Sequence, residues 1–232
     1  MLIPLLFILT AAWTAEITTN NVQMFDAPKW LTEAHVNTVV DKIQATLEWD
    51  IRRVNVKWYR SEQEFEHAHG LPVTRDSGST ILAVSKKTDN TVHLGPNVNA
   101  ANFDGVFGHE LGHIIMFQKY KTAIPQWLEE GLANWAAKHG TIDYKYLASQ
   151  PGVDVKTMGH PFGNGGPGPR YHYMASTALM EMIGSHCQIH DLLQLSVGEK
   201  LEGYLDTFCG IPDLNAEFRR FVARKAGVPL KK

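Results

Sequence analysis

The sequence predicts an α+β chain. Strand-like alternation is confined to residues before Gly95, helical periodicity dominates afterwards, and the best-patterned helix lies where the two regimes meet. With 232 residues, 44% hydrophobic and 20% charged, the chain can bury one large core or two closely packed lobes, and disorder over most of it is not expected. A formal net charge of −2 gives no electrostatic reason to expect nucleic acid or an anionic membrane as a partner. The pairs Lys86-Lys87 and Lys231-Lys232 are too short to alter that.

The apolar run from Met1 to Ala15 resembles a secretory signal with a small-residue cleavage region near Ala12 or Ala15. No Lys or Arg precedes the run, and Trp13 is bulky for its place, so an N-terminal strand or an uncleaved anchor is the alternative. The run falls short of the roughly 20 residues of a membrane span, so no stable membrane insertion is expected once it is removed. Export would place Cys187 and Cys209, the only cysteines, in an oxidising compartment, where they either form a disulfide or remain two buried thiols. No CxxC spacing exists, which excludes a thiolate zinc site.

Residues 18–29 are polar and turn-rich and read as an extended lead-in. From Thr32, a candidate N-cap, Val36, Val39, Val40, Ile43, Leu47 and Trp49 recur at helical spacing, which predicts a helix to about Glu48. Arg53 to Tyr59 alternates apolar and polar residues and reads as a strand. Ser61-Glu62-Gln63-Glu64 opens a short helix with a capping-box pattern, ending near Gly70. Residues 80–84 and 91–94 read as two strands joined across Lys86 to Asn90.

The central helix is predicted from Asn102 to Tyr120, with Asp104 in its first turn and Lys119 near its last, as the helix dipole favours. Phe103, Val106, Phe107, Leu111, Ile114 and Ile115 supply its buried side. A second helix starts at Pro125 and ends at Gly140; Trp127 and Trp135 on it are expected to pack in the core. Residues 149–170 are irregular and rich in Gly and Pro, the pattern of a functional lid. Helices follow at 171–184, 189–195, 199–208 and 213–226.

Within the central helix, His109-Glu110-Leu111-Gly112-His113 sets two imidazoles four residues apart, about 40° from each other around the axis, so that both can converge on one ion. Catalytic zinc needs neutral nitrogen donors, a coordination position for water, and a carboxylate that takes the water's proton, here Glu110. In a chain with 11 histidines such a match alone is only suggestive; its place inside a well-patterned helix adds weight. The third ligand is expected on the next helix, where Glu129 and Glu130 point about 100° apart, so that only one can face the metal. Gly131, costly in a helix interior, would let the two helices approach closely, which favours Glu130 and leaves Glu129 as a solvated carboxylate.

HELGH followed by Trp127-Leu128-Glu129-Glu130-Gly131-Leu132-Ala133 resembles the gluzincin zinc metallopeptidases, specifically their compact peptidase MA-like domains. The resemblance implies a zincin-like fold over residues 16–232, with a mixed α/β lobe to about residue 121 and a helical lobe from 122, and one catalytic Zn2+ at the junction. It implies that His109, His113 and Glu130 bind the ion, that Glu110 is general base and proton shuttle, and that Tyr173 stabilises the oxyanion. Spacing to Leu179 and Ile183 selects Tyr173, with Tyr171 two residues away as the alternative. The Gly-x-Met-Glu-Asn segment with which larger members of the clan bind a free amine is absent, which disfavours an exopeptidase.

Three further expectations concern the surroundings of that site. Asn134, four residues after Glu130, stands where the resemblance puts the aspartate of some gluzincins, and its amide oxygen could accept from a ligating histidine's second nitrogen, with a plain surface asparagine as the alternative. His160 and His172 flank the irregular segment and read as polar loop residues or substrate contacts. The 91–94 strand is close enough to lie along the cleft as a sheet edge, and the resemblance implies that such an edge pairs with an extended peptide. The expected activity is that of a secreted or periplasmic zinc endopeptidase acting on peptide or protein substrates. The same site would also suit hydrolysis of a cell-wall amide, or a metalloprotease-like binding module without turnover.

Overall fold

A computed structural model describes residues 15–70, 81–159, 167–195 and 201–230. The elements in order are β1 (Ala15–Thr18), β2 (Val22–Ala27), α1 (Glu33–Leu47), β3 (Val54–Trp58), α2 (Glu62–His69), β4 (Ala83–Lys86), β5 (Thr91–Leu94), α3 (Phe103–Tyr120), α4 (Gln126–Ala137), α5 (Tyr144–Ser149), α6 (Pro169–Gly184), α7 (Ile189–Leu195), α8 (Glu202–Thr207) and α9 (Leu214–Ala226). The chain is α+β, with one mixed five-stranded sheet in the order β1-β2-β3-β5-β4. β1 with β2 and β4 with β5 run antiparallel, whereas β2 with β3 and β3 with β5 run parallel.

The helices follow from local signals. The Thr32 hydroxyl accepts from the His35 N–H to cap α1, whose stripe Val36, Val39, Val40, Ile43 and Leu47 is buried. Ser61 caps α2 in the same way, accepting from Glu64 N. In α3 the predicted apolar side is buried together with Gly108, His109, Glu110, Gly112 and His113. This helix is enclosed because it packs on α1, on α4 and on the sheet edge at β4. α4 ends earlier than expected, at Ala137, where Lys138 in a left-handed conformation caps it two residues before Gly140. Trp127 is fully buried and Trp135 half-buried, its ring 6.3 Å from that of His190.

Two strand expectations are corrected. Residues 18–29 are not a lead-in: β2 pairs in parallel with β3, placing Val22 opposite Val54 and Met24 opposite Val56, and β1 adds an antiparallel edge. Asn20, Asn21 and Pro28 gave the stretch a turn-like composition, but pairing with a distant strand overrides it. β5, moreover, is not an edge. It lies between β3 and β4 with all four residues buried, so the strand at that end of the sheet is β4, which runs from Ala83 to Lys86 and begins later than predicted. The short helix α5, capped by Asp143, also lies in a stretch where none was predicted.

Cys187 and Cys209 are joined in a disulfide that ties the end of α6 to the turn after α8. Among the described residues no helix is long and apolar enough to cross a membrane. The predicted signal up to residue 14, Thr80 and His160 lie outside the described residues.

Candidate metal centre

The centre is built by the crossing of α3 and α4. Glycine permits the close approach at Gly112, where a Cβ would stand 3.2 Å from Ala133 Cα. At this distance α4 presents Glu130 to the face of α3 that carries His109 and His113. The His109 and His113 Nε2 atoms are 3.1 Å apart; Glu130 Oε2 lies 3.4 Å from the first and Oε1 3.6 Å from the second. Ligand atoms bonded at about 2.0–2.1 Å to a tetrahedral ion stand about 3.3 Å from one another, so all three separations fit a single cation. All three residues are buried, and among the described residues they form a group that can hold a metal ion.

The electrostatics of the three groups agree with the geometry. Burial pushes the Glu130 carboxyl up, yet His113 and His109 beside it hold it well below the usual carboxylate range. Burial alone would depress His113, but Glu130, Glu129 and Glu110 raise it well above the ordinary imidazole value. The field that favours a proton on His113 is the field that favours a cation among the three donors.

Gly131 has a different role from the one expected. It faces α6, where an added Cβ would collide with the Ser176 carbonyl oxygen and come within 3.3 Å of Met180 Cβ. The glycine therefore seats α4 on α6, and only indirectly favours Glu130 over Glu129.

Glu129 is the second correction. It is not a solvated carboxylate: its side chain is 16% exposed, and its Oε1 lies 3.0 Å from His113 Nδ1 and 2.7 Å from Lys87 Nζ. Burial raises its carboxyl, but His113 and then Lys87 bring it down to about 2. Only Glu130 faces the ligating nitrogens, as the 100° offset requires, while the long Glu129 side chain reaches the opposite nitrogen of the same imidazole. Asn134 does not support a histidine; its amide donates to Thr177 Oγ1 at 2.8 Å. His109 Nδ1 is buried with no hydrogen-bond partner among the described residues.

The donors open on a cleft of about 540 Å³ walled on one side by residues 81–85 at the sheet edge, and Glu110 and Tyr173 line it too. Tyr173 is held as a phenol well above the usual tyrosine value, first by burial and then by Glu130 and Glu110. Tyr171 is instead packed in the core, its ring 5.8 Å from that of His172. His172 is no loop residue: it lies in the first turns of α6 and is buried. The one unforeseen cleft histidine is His139, just past the end of α4, with its ring 5.8 Å from that of His109. Burial first and His109 second lower its pKa, keeping it neutral. No motif marks His139, and only the tertiary placement of the α4 terminus could have found it.

No protein-family model matches the chain, and a comparison with curated proteins finds no significant match.

Proposed function

We propose that this chain is a zinc metallopeptidase of the gluzincin type, an endopeptidase with zincin-like architecture, exported to a secreted or periplasmic location. In this reading the sheet-bearing residues to about 121 and the helical residues from 122 form two lobes that meet at the metal centre. The observation that carries it is the convergence of His109, His113 and Glu130 in one cleft with Glu110 and Tyr173. Two nitrogens and one carboxylate are a donor set that suits Zn2+. The Cys187–Cys209 disulfide suits an oxidising compartment.

A zinc ion held by these three residues would supply Lewis acidity, polarising a carbonyl and lowering the pKa of water toward about 7. Glu110 takes the proton of the attacking water and delivers it to the leaving amine. Tyr173, kept protonated by burial and by the two glutamates, donates to the oxygen on which negative charge develops. Among the described residues β4 has β5 as its only strand neighbour, so its other edge can pair with an extended peptide, binding varied sequences through main-chain hydrogen bonds.

The test is Glu110→Gln. This variant should retain zinc at one per chain by metal analysis while cleavage of a peptide library falls by about 10²–10⁴-fold, the usual contribution of a general base. Proteolysis at the wild-type rate in that variant would sink the proposal.

A further inference from the structure

We propose that Glu129 and Lys87 are positioning residues for the metal centre, so that the sheet edge sets how tightly the centre holds its ion. The proposal rests on the metal-binding reading above and deepens it.

A carboxylate can only accept, so the 3.0 Å contact between Glu129 Oε1 and His113 Nδ1 fixes the hydrogen on Nδ1. In the neutral ring that a metal would require, this leaves the Nε2 lone pair on the side of His109 and Glu130, 3.1 and 3.6 Å away. Glu129 is itself held from the opposite wall. Lys87 follows immediately after β4, at the start of a 3₁₀ turn (Lys87–Asp89), and its ammonium donates to the same Oε1 at 2.7 Å. Lys87 and Glu129 both line the cleft and join its two walls, one from the sheet edge and one from α4.

Charge gives the pair a second role. Glu110, Glu129 and Glu130 bring three carboxylates to one cleft, and Lys87 neutralises Glu129, which neither ligates the ion nor carries the reaction's proton. Glu129 can then polarise His113 without adding an unbalanced charge to the cleft. His109 has no such support, since its Nδ1 lacks a hydrogen-bond partner among the described residues. Among the described residues, then, the two histidines are not equivalent, and the hydrogen-bonded support lies on the His113 side.

The experiment measures zinc affinity by competition with a chromophoric chelator, and records the absorption spectrum with cobalt(II) in place of zinc. Proteins compared are the wild type, Glu129→Ala, Glu129→Gln, Lys87→Met, Lys87→Arg and the double variant Glu129→Ala/Lys87→Met. Glu129→Ala should weaken zinc binding by about 10–100-fold and shift the cobalt bands, while the metal-free far-ultraviolet circular dichroism is unchanged. Glu129→Gln, which keeps the acceptor and loses the charge, should fall between it and the wild type, and it carries the test if Glu129→Ala does not fold. Lys87→Met should weaken binding by a smaller factor of about 3–10, Lys87→Arg should restore it, and the double variant should be no weaker than Glu129→Ala alone, because Lys87 acts through Glu129. Wild-type affinity and cobalt spectrum in both Glu129 variants would overturn the positioning role, as would strictly additive effects of the two sites. A wild type that binds no zinc would instead overturn the metal reading itself, so the two failures are distinguishable.

Discussion

Two regions of the molecule bury histidines to nearly the same depth and treat them in opposite ways. At the crossing of α3 and α4, His113 is 7% exposed and faces three carboxylates; beside α2, His93 on β5 is 5% exposed and, among the described residues, has no carboxylate bonded to it. His93 stacks on Tyr59, with ring centroids 5.7 Å apart and the phenol oxygen 2.8 Å from Nδ1, while His69 close by sits edge-on to Phe65 at 4.4 Å. Burial pushes His93 down to about 4, helped by Lys86 and opposed only weakly by Asp89, whereas the carboxylates around His113 reverse the effect of burial. Buried imidazoles therefore do not make a metal centre by themselves. The carboxylates make it, and the second cluster is a neutral part of the core.

The largest expected effect separates the two regions by metal. If only the first is a cation site, zinc at about a thousand times its dissociation constant should stabilise the wild type by about 4 kcal/mol in urea unfolding. Glu130→Ala should lose that increment, and His93→Gln should keep it. An increment that survives in Glu130→Ala, or disappears in His93→Gln, would erase the distinction between the clusters.

A smaller effect is expected where α4 rests on α6. Gly131→Ala drives a methyl group into the Ser176 backbone, which a side-chain rotation cannot relieve, so the cost should be at the upper end for overpacking, about 3 kcal/mol. Denaturant midpoints of the metal-free variant and wild type measure it. Because α6 carries Tyr173 and α4 carries Glu130, the variant should also loosen the metal region while leaving the Tyr59–His93 contact unaffected. Equal stability of variant and wild type would mean that the two helices separate without penalty.

What the sequence made legible here was local. The one-turn spacing of His109 and His113, the caps at Thr32 and Ser61, and the apolar stripe of α3 are all written within a few residues, and each is where periodicity puts it. What stayed hidden depends on distant partners. β2 is a strand because β3, about thirty positions later, pairs with it. β5 is interior because β4 covers it. The doublet Glu129-Glu130 was visible, but Glu129 acquires its place only from Lys87, 42 residues upstream, and from the far side of His113. The donor set was thus readable from the chain, and its support was not.

The last expected effect lies in the acid range and tests the neutral cluster directly. With its folded pKa near 4 and an unfolded value near 6.5, His93 takes up its proton in the unfolded chain first as pH falls. Between those two values the unfolded state holds more protons, so stability must rise with pH there and fall on acidification, by about 1.4 kcal/mol per pH unit at most from this residue. Above about 6.5 and below about 4 the contribution is flat. His93→Gln, which keeps an acceptor for the Tyr59 hydroxyl, should lower stability somewhat at neutral pH yet give a shallower curve between pH 6.5 and 4, so the readout is the difference in slope and not in height. Other titrating groups are common to both proteins and cancel in that difference. Parallel curves across the whole interval would mean that His93 is solvated enough to titrate normally, and that the contrast between the two histidine clusters lies in their metal chemistry alone.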